Sequence, residues 1–148
     1  MRYAYYTDIG IAFDYEVFDF VSTGINGSIY KRVVFTYIFQ TEIYNLAFGD
    51  VLENGEIDDF SISDNKDMAK ILSTISRIVK LFLDKYPNRK VFFSGSSPER
   101  TRLYRMAIGN NLEELSEIYD INAVLKNGDI VEFRRNLACV AFLIGIKS

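Results

Sequence analysis

The sequence predicts an α+β domain: a curved, mostly antiparallel sheet of about six to seven strands, with one long and two shorter helices packed on one side. Three observations predict it. Asn26-Gly27, Asn54-Gly55 and Asn127-Gly128 each divide two β-rich runs, the signature of antiparallel hairpins. A single long stretch carries apolar residues at spacings of three and four, which is one amphipathic helix. No repeat, low-complexity stretch or linker divides the 148 residues, so 1–148 reads as one domain.

The first Asn-Gly pair joins Tyr15–Ile25 to Ser28–Gln40, where Val33, Phe35, Tyr37 and Phe39 alternate with Arg32, Val34, Thr36 and Ile38. The second joins Ile43–Glu53 to Glu56–Ile62. Asn-Gly suits the two positive φ angles of a type I′ turn, which is the turn expected at all three positions. The long helix is expected over Asn65–Tyr86, with the stripe Met68, Ile71, Leu72, Ile75, Ile78, Val79, Phe82 and Leu83. Asp64 is placed to cap its start, and Pro87 stops it.

A short strand follows at Lys90–Ser94, and a second helix starts from Ser97 with Pro98 as its first residue. Gly109 is expected to end that helix, and Asn111 with Glu113 and Glu114 opens a shorter one reaching Ile118. The third hairpin joins Ile121–Lys126 to Asp129–Phe133, and a last strand spans Leu137–Ile146.

Composition sets bounds on function. The chain is 49% hydrophobic and 25% charged, and at this length it buries roughly 70% of its unfolded surface without a metal or disulfide staple. It has no His and one Cys, which excludes Ser-His-Asp and Cys-His catalysis and imidazole metal sites. Cys139 lies in the apolar run Leu137–Ile146 and reads as a small buried hydrophobe. That run is about half a membrane span, and the N-terminus lacks a signal-peptide pattern, so the protein is expected to be cytoplasmic, with no membrane partner. The net charge of −3 argues against indiscriminate nucleic-acid binding.

Charge is unevenly spread. Residues 50–67 hold Asp50, Glu53, Glu56, Asp58, Asp59, Asp64 and Asp67 against Lys66. Aligning Gly55 with the required glycine of an EF-hand puts Asp50 at the first ligand position, but Leu52 at the third and Ser61 at the last, so the motif fails. Asp58 and Asp59 are adjacent and point to opposite faces of a strand. No metal and no cofactor is expected.

Residues 89–105 hold Arg89, Lys90, Arg100, Arg102 and Arg105 against Glu99. Here Val91-Phe92-Phe93 leads into Ser94-Gly95-Ser96-Ser97 and then the helix, and a small-residue loop entering a helix is a candidate anion cradle. The Gly-Lys-Ser/Thr end of a P-loop is missing. At 100° per residue Arg102 and Arg105 fall outside, whereas Arg100 falls inside the apolar arc between Tyr104 and Ala107. An inward Arg needs a carboxylate, carbonyls or a bound anion, and Asp50, Asp58 and Asp59 are the acids considered for an ion pair. Tyr30, Phe35, Tyr37 and Phe39 could stack bases, but read more simply as core and sheet-surface aromatics.

Several segments carry a resemblance: Tyr44-Asn45-Leu46-Ala47-Phe48-Gly49-Asp50, Ile57-Asp58-Asp59, Ser63-Asp64-Asn65 with Asp67, and Gly95-Ser96-Ser97-Pro98-Glu99-Arg100-Thr101-Arg102-Leu103-Tyr104-Arg105, with the closing Ala141-Phe142-Leu143-Ile144. Over nearly its whole length the chain resembles a family of small proteins, found mainly in Bacteroidota, carried as a domain of unknown function. The resemblance implies a bacterial, single-domain protein and brings no activity with it.

Two functional classes remain. The first is a non-enzymatic binding or interaction domain whose polar network comprises Ser94, Gly95, Ser96, Ser97, Arg100, Arg102, Tyr104, Asp50, Asp58 and Asp59. Its partner would be a phosphate-bearing ligand, a nucleic acid or a second copy in a homo-oligomer. The second is a His-independent enzyme, such as a toxin-like ribonuclease or phosphotransfer enzyme, with Arg100 and Arg102 on phosphoryl charge and Tyr104 or Asp59 moving protons.

Overall fold

The computed structural model of the chain describes residues 4–58 and 67–148. Five strands come first: β1 (Gly10–Ala12), β2 (Val17–Gly24), β3 (Gly27–Tyr37), β4 (Ile43–Val51) and β5 (Ile57–Asp58). The helix α1 (Met68–Lys85), the strand β6 (Lys90–Phe93) and the helices α2 (Pro98–Asn110) and α3 (Leu112–Leu115) follow. Then β7 (Tyr119–Val124), β8 (Ile130–Glu132) and β9 (Ala141–Ile146) close the described chain.

All nine strands form one open sheet in the order β1-β2-β3-β4-β6-β9-β7-β8, with β5 on β4 beside this path. Pairing is antiparallel except between β4 and β6, where α1 makes the long crossover a parallel pair requires. The architecture is therefore α+β and mostly antiparallel, with more strands than the six to seven expected. The extra count comes from elements such as β1, whose three exposed residues are too few to show a period of two.

Register builds the core. Phe18 faces Val33, Val33 faces Phe48 and Phe35 faces Leu46, while Tyr44, Val91, Ile144 and Ile121 align across four strands. Pleat alternation puts all of these on one face. The helix α1 lays its stripe there: Ile71, Ile78, Val79, Phe82 and Leu83 are buried, and the Phe82 ring stacks on Phe35 at 3.9 Å. The helix α2 packs on the same face, with Tyr104 edge-on to Phe93 at 6.0 Å. No helix among the described residues is long and apolar enough to cross a membrane.

Local chemistry corrects several expectations. All three Asn-Gly turns are present, but only Gly27, Gly55 and Gly128 take positive φ (81°, 85° and 93°), so none is a type I′ turn. In the second and third, Gly55 N–H donates to Leu52 C=O and Gly128 N–H to Leu125 C=O, both 2.9 Å. That is a type I turn followed by a left-handed glycine. The asparagine stays right-handed because its Oδ1 accepts the N–H two residues on, from Glu56 or Asp129.

The helix α1 starts at Met68 with Asp67 before it, later than the expected Asn65; Asp64 and the strand end at Ile62 lie outside the described residues. The Asp67 carboxylate does not cap the helix but accepts hydrogen bonds from Tyr6 Oη and Ser22 Oγ. The helix α2 runs past Gly109 to Asn110, because Gly109 is buried mid-turn and its C=O takes the Arg135 Nε–H at 2.8 Å. The last strand starts at Ala141 rather than Leu137, after a turn in which Leu137 N–H donates to Arg134 C=O and Asn136 takes φ 63°.

Candidate functional site

Between α1, α2 and the covered sheet face lies a cavity of about 220 Å³. Its floor is apolar, from Leu46, Phe48, Ile121 and Ile144 on the sheet. Leu72, Ile75 and Val79 form the α1 wall, three and four residues apart and so on one side of that helix. The opposite wall is Arg100, Tyr104, Ala107 and Ile108 of α2, again at helical spacing. Arg100 thus sits where its position inside the apolar arc of α2 directs it.

The strand-to-helix turn supplies the remaining polar edge. Ser94, Gly95 and Ser96 line the cavity, and the close approach of this turn to α2 requires a glycine. A Cβ on Gly95 would stand 2.4 Å from Thr101 N and 2.8 Å from the Arg100 carbonyl carbon. The backbone donors of the turn are largely engaged. Gly95 N–H donates to Thr101 Oγ1 at 3.0 Å, Arg100 N–H to Ser97 Oγ at 3.3 Å and Thr101 N–H to Ser97 C=O at 3.1 Å. Ser97 is therefore the N-cap, and an anion here would meet the Arg100 side chain and the serine hydroxyls more than free backbone N–H groups.

The other residues singled out from the sequence lie elsewhere. Arg102 is exposed on the outer side of α2, because two residues along a helix turn the side chain through about 200°. Asp50 lies opposite Lys31 on β3 and forms an ion pair with it; the Lys31 side chain is 4% exposed and that of Asp50 18%. Asp58 pairs with Asp50 in register, and neither lines the cavity. Asp59 lies outside the described residues. Among the described residues no group of three His, Cys, Asp or Glu side chains is gathered to hold a metal ion. The aromatics of β3 do not form a stacking row: Phe35 is core, Tyr30 is exposed from the other face, and Tyr37 and Phe39 stand at the far end.

Two groups had no sequence signal of their own. Tyr119 lines the cavity at 6% exposure, and its hydroxyl makes no hydrogen bond among the described residues. Burial, with a smaller push from Asp84 against the pull of Arg77, raises its pKa to about 12, so the phenol stays neutral. At the far end of α1 the Arg89 guanidinium lies 3.5 Å from the Tyr86 ring centre and 4.2 Å from that of Tyr44, a cation–π stack tying the helix end to β4. Cys139 is half-buried outside any strand, and burial pushes its thiol pKa up, which makes it a poor nucleophile.

No curated protein and no solved structure matches the chain. One family model does, described as a family of unknown function, DUF6934, and it spans residues 2–147. With that span covered, the chain belongs to this family.

Proposed function

We propose that the chain is a binding domain whose cavity takes a small ligand with an apolar body and one anionic group, a carboxylate or a phosphate. One observation carries the reading: the cavity of about 220 Å³ joins an apolar floor to Arg100, Ser94 and Ser96 at its edge. Ligand pockets are mostly apolar with a few polar groups that fix orientation. Drug-sized ligands need about 300 Å³ or more, and benzene occupies an engineered cavity of about 150 Å³. A ring or short chain with a small side arm is the matching size.

Among the described residues the walls hold no acid–base pair, which supports binding rather than catalysis. Among the described lining residues there is no Asp, Glu, Lys or Cys, and the titratable groups are Arg100, Tyr104 and Tyr119. The enzymatic alternative asks Arg100 and Arg102 to act on one phosphoryl group, and these side chains leave α2 on different sides. Nucleic-acid binding loses the aromatic row it would use.

Isothermal titration of the purified chain with 3-phenylpropanoate, octanoate, phenyl phosphate and a short single-stranded RNA tests the reading. We expect one equivalent of an organic anion to bind, about tenfold weakening in Arg100→Gln, and loss of binding in Ala107→Phe, which fills the cavity. Binding of RNA alone, or anion binding that Ala107→Phe leaves intact, would overturn it.

A further inference from the structure

The sheet has a second face. The helices α1 and α2 pack on one side of it and Leu115 of α3 joins them around the cavity, so among the described residues no helix lies against the other side. An antiparallel sheet with one solvated face alternates apolar and polar residues, whereas strands buried on both faces read as continuous apolar runs. Here β9 reads Ala141-Phe142-Leu143-Ile144-Gly145-Ile146 without a polar residue, and Val33-Val34 and Phe92-Phe93 are apolar toward both sides. These strands are composed for cover on both faces.

Register lays the open face out in rows. One row is Asn45, Phe92, Leu143, Asn122 and Glu132 across β4, β6, β9, β7 and β8. On one side of it stand Ala47, Ala141, Val124 and Ile130, and on the other Ile43, Lys90, Gly145 and Asp120. The β9 residues are buried within the sheet, Ile43, Phe92, Asn122 and Val124 are half-buried, and Ile130 is 57% exposed. Five strands and three rows cover about 24 by 20 Å, or about 480 Å², at the usual strand and same-face spacings. Two such faces bury about 1,000 Å², the size at which a specific interface begins.

The charges select the partner. Lys90 and Asp120 flank Gly145 on either side of β9, both are exposed, and neither makes an ion pair among the described residues. A two-fold axis along β9 keeps each row and sets β6 of one copy over β7 of the other, and β4 over β8. Lys90 of each copy then meets Asp120 of the other, and the Asn45 amide meets the Glu132 carboxylate. Opposite charges placed symmetrically about one strand make the face complementary to itself.

We propose that this open face is covered by a second copy of the chain, in a face-to-face dimer whose two-fold axis follows β9. Sedimentation velocity of the full chain from about 1 to about 100 μM tests it, and we expect monomer to convert to dimer across that range, as suits an interface of the smallest specific size. Lys90→Asp and Asp120→Lys should each weaken the dimer about tenfold, because each sets like charges against one another at both contacts. Mixed in equal amounts, the two variants should dimerise as the wild type does, since the mixed pair matches opposite charges twice. That recovery is read against each variant alone, so a folding defect cannot imitate it. A chain that stays monomeric, a dimer that neither reversal weakens, or a mixture no better than its components would overturn the proposal. A monomer that uses this face for lipid vesicles or another protein would overturn it too. Neither Lys90 nor Asp120 lines the cavity, so organic-anion binding should be the same in both variants and stands or falls separately.

Discussion

Lys31 illustrates how a single residue is placed by a period of two. It shares its phase with Val33 and Phe35, so the pleat carries all three to the covered face of the sheet. An ammonium there needs a counter-charge, and the register supplies Asp50 directly opposite. The strand alternation holds that information, although a lysine's chemistry by itself points to solvent. Arg100 was legible for the opposite reason: it interrupts an apolar arc, and the interruption marks the cavity. Tyr119 was not legible as a cavity residue, because nothing local shows which buried tyrosine lines a space between distant segments. Its titration gives a test at this scale. The pKa rises from 10.0 to about 12 on folding, so the folded state holds the proton more tightly. The contribution to stability is fully present below pH 10 and is lost as pH climbs through about 12. Urea titrations over that range should show a shallower loss of stability in Tyr119→Phe than in the wild type, and parallel curves would show that the group does not drive the loss.

At the scale of elements, the turn from β6 into α2 is set by small residues acting in different ways. Ser97 and Pro98 were readable as a helix start because capping and a fixed φ are local properties. Gly95 has a longer-range reason. Its φ is unremarkable, and it is glycine because the first turn of α2 folds back onto it. Gly95→Ala meets backbone atoms at both close contacts, so the chain rather than a side-chain tip must move, at about 1–3 kcal/mol. Urea denaturation should show a loss of that size, and organic-anion affinity should fall because Arg100 shifts with the turn. An unchanged midpoint would mean the turn is softer than its contacts indicate. The start of α1 shows the converse. Asp67 has the composition of a cap, but Tyr6 and Ser22 engage its carboxylate, and those partners come from distant segments. Likewise the asparagines of the three hairpins suit a type I′ turn by composition, and in the second and third the side-chain bonds of Asn54 and Asn127 accompany a type I turn instead.

For the whole molecule, the sheet order carries the main consequence. The last strand, β9, lies between β6 and β7, pairs with both, and has Ala141 to Gly145 buried. It closes the covered face, with Phe142 packed on Phe93 and Phe133 and Ile144 in the cavity floor. Truncation after residue 140 therefore removes an interior strand, not a tail. The shortened chain should lose its cooperative urea transition by circular dichroism; a transition of wild-type steepness would show that β6 and β7 hold together without β9. The sequence by itself determined the α+β class, the three antiparallel hairpins, the apolar face of α1 and the inward turn of Arg100, because each follows from the period and chemistry of neighbouring residues. Tertiary structure alone decided the parallel β4–β6 pair, the insertion of β9, the Lys31–Asp50 pairing and the meeting of Arg100 with Tyr119 around one cavity. A strand's own residues fix which face is apolar, but not which edge it pairs with, and that choice depends on packing between segments far apart in the chain.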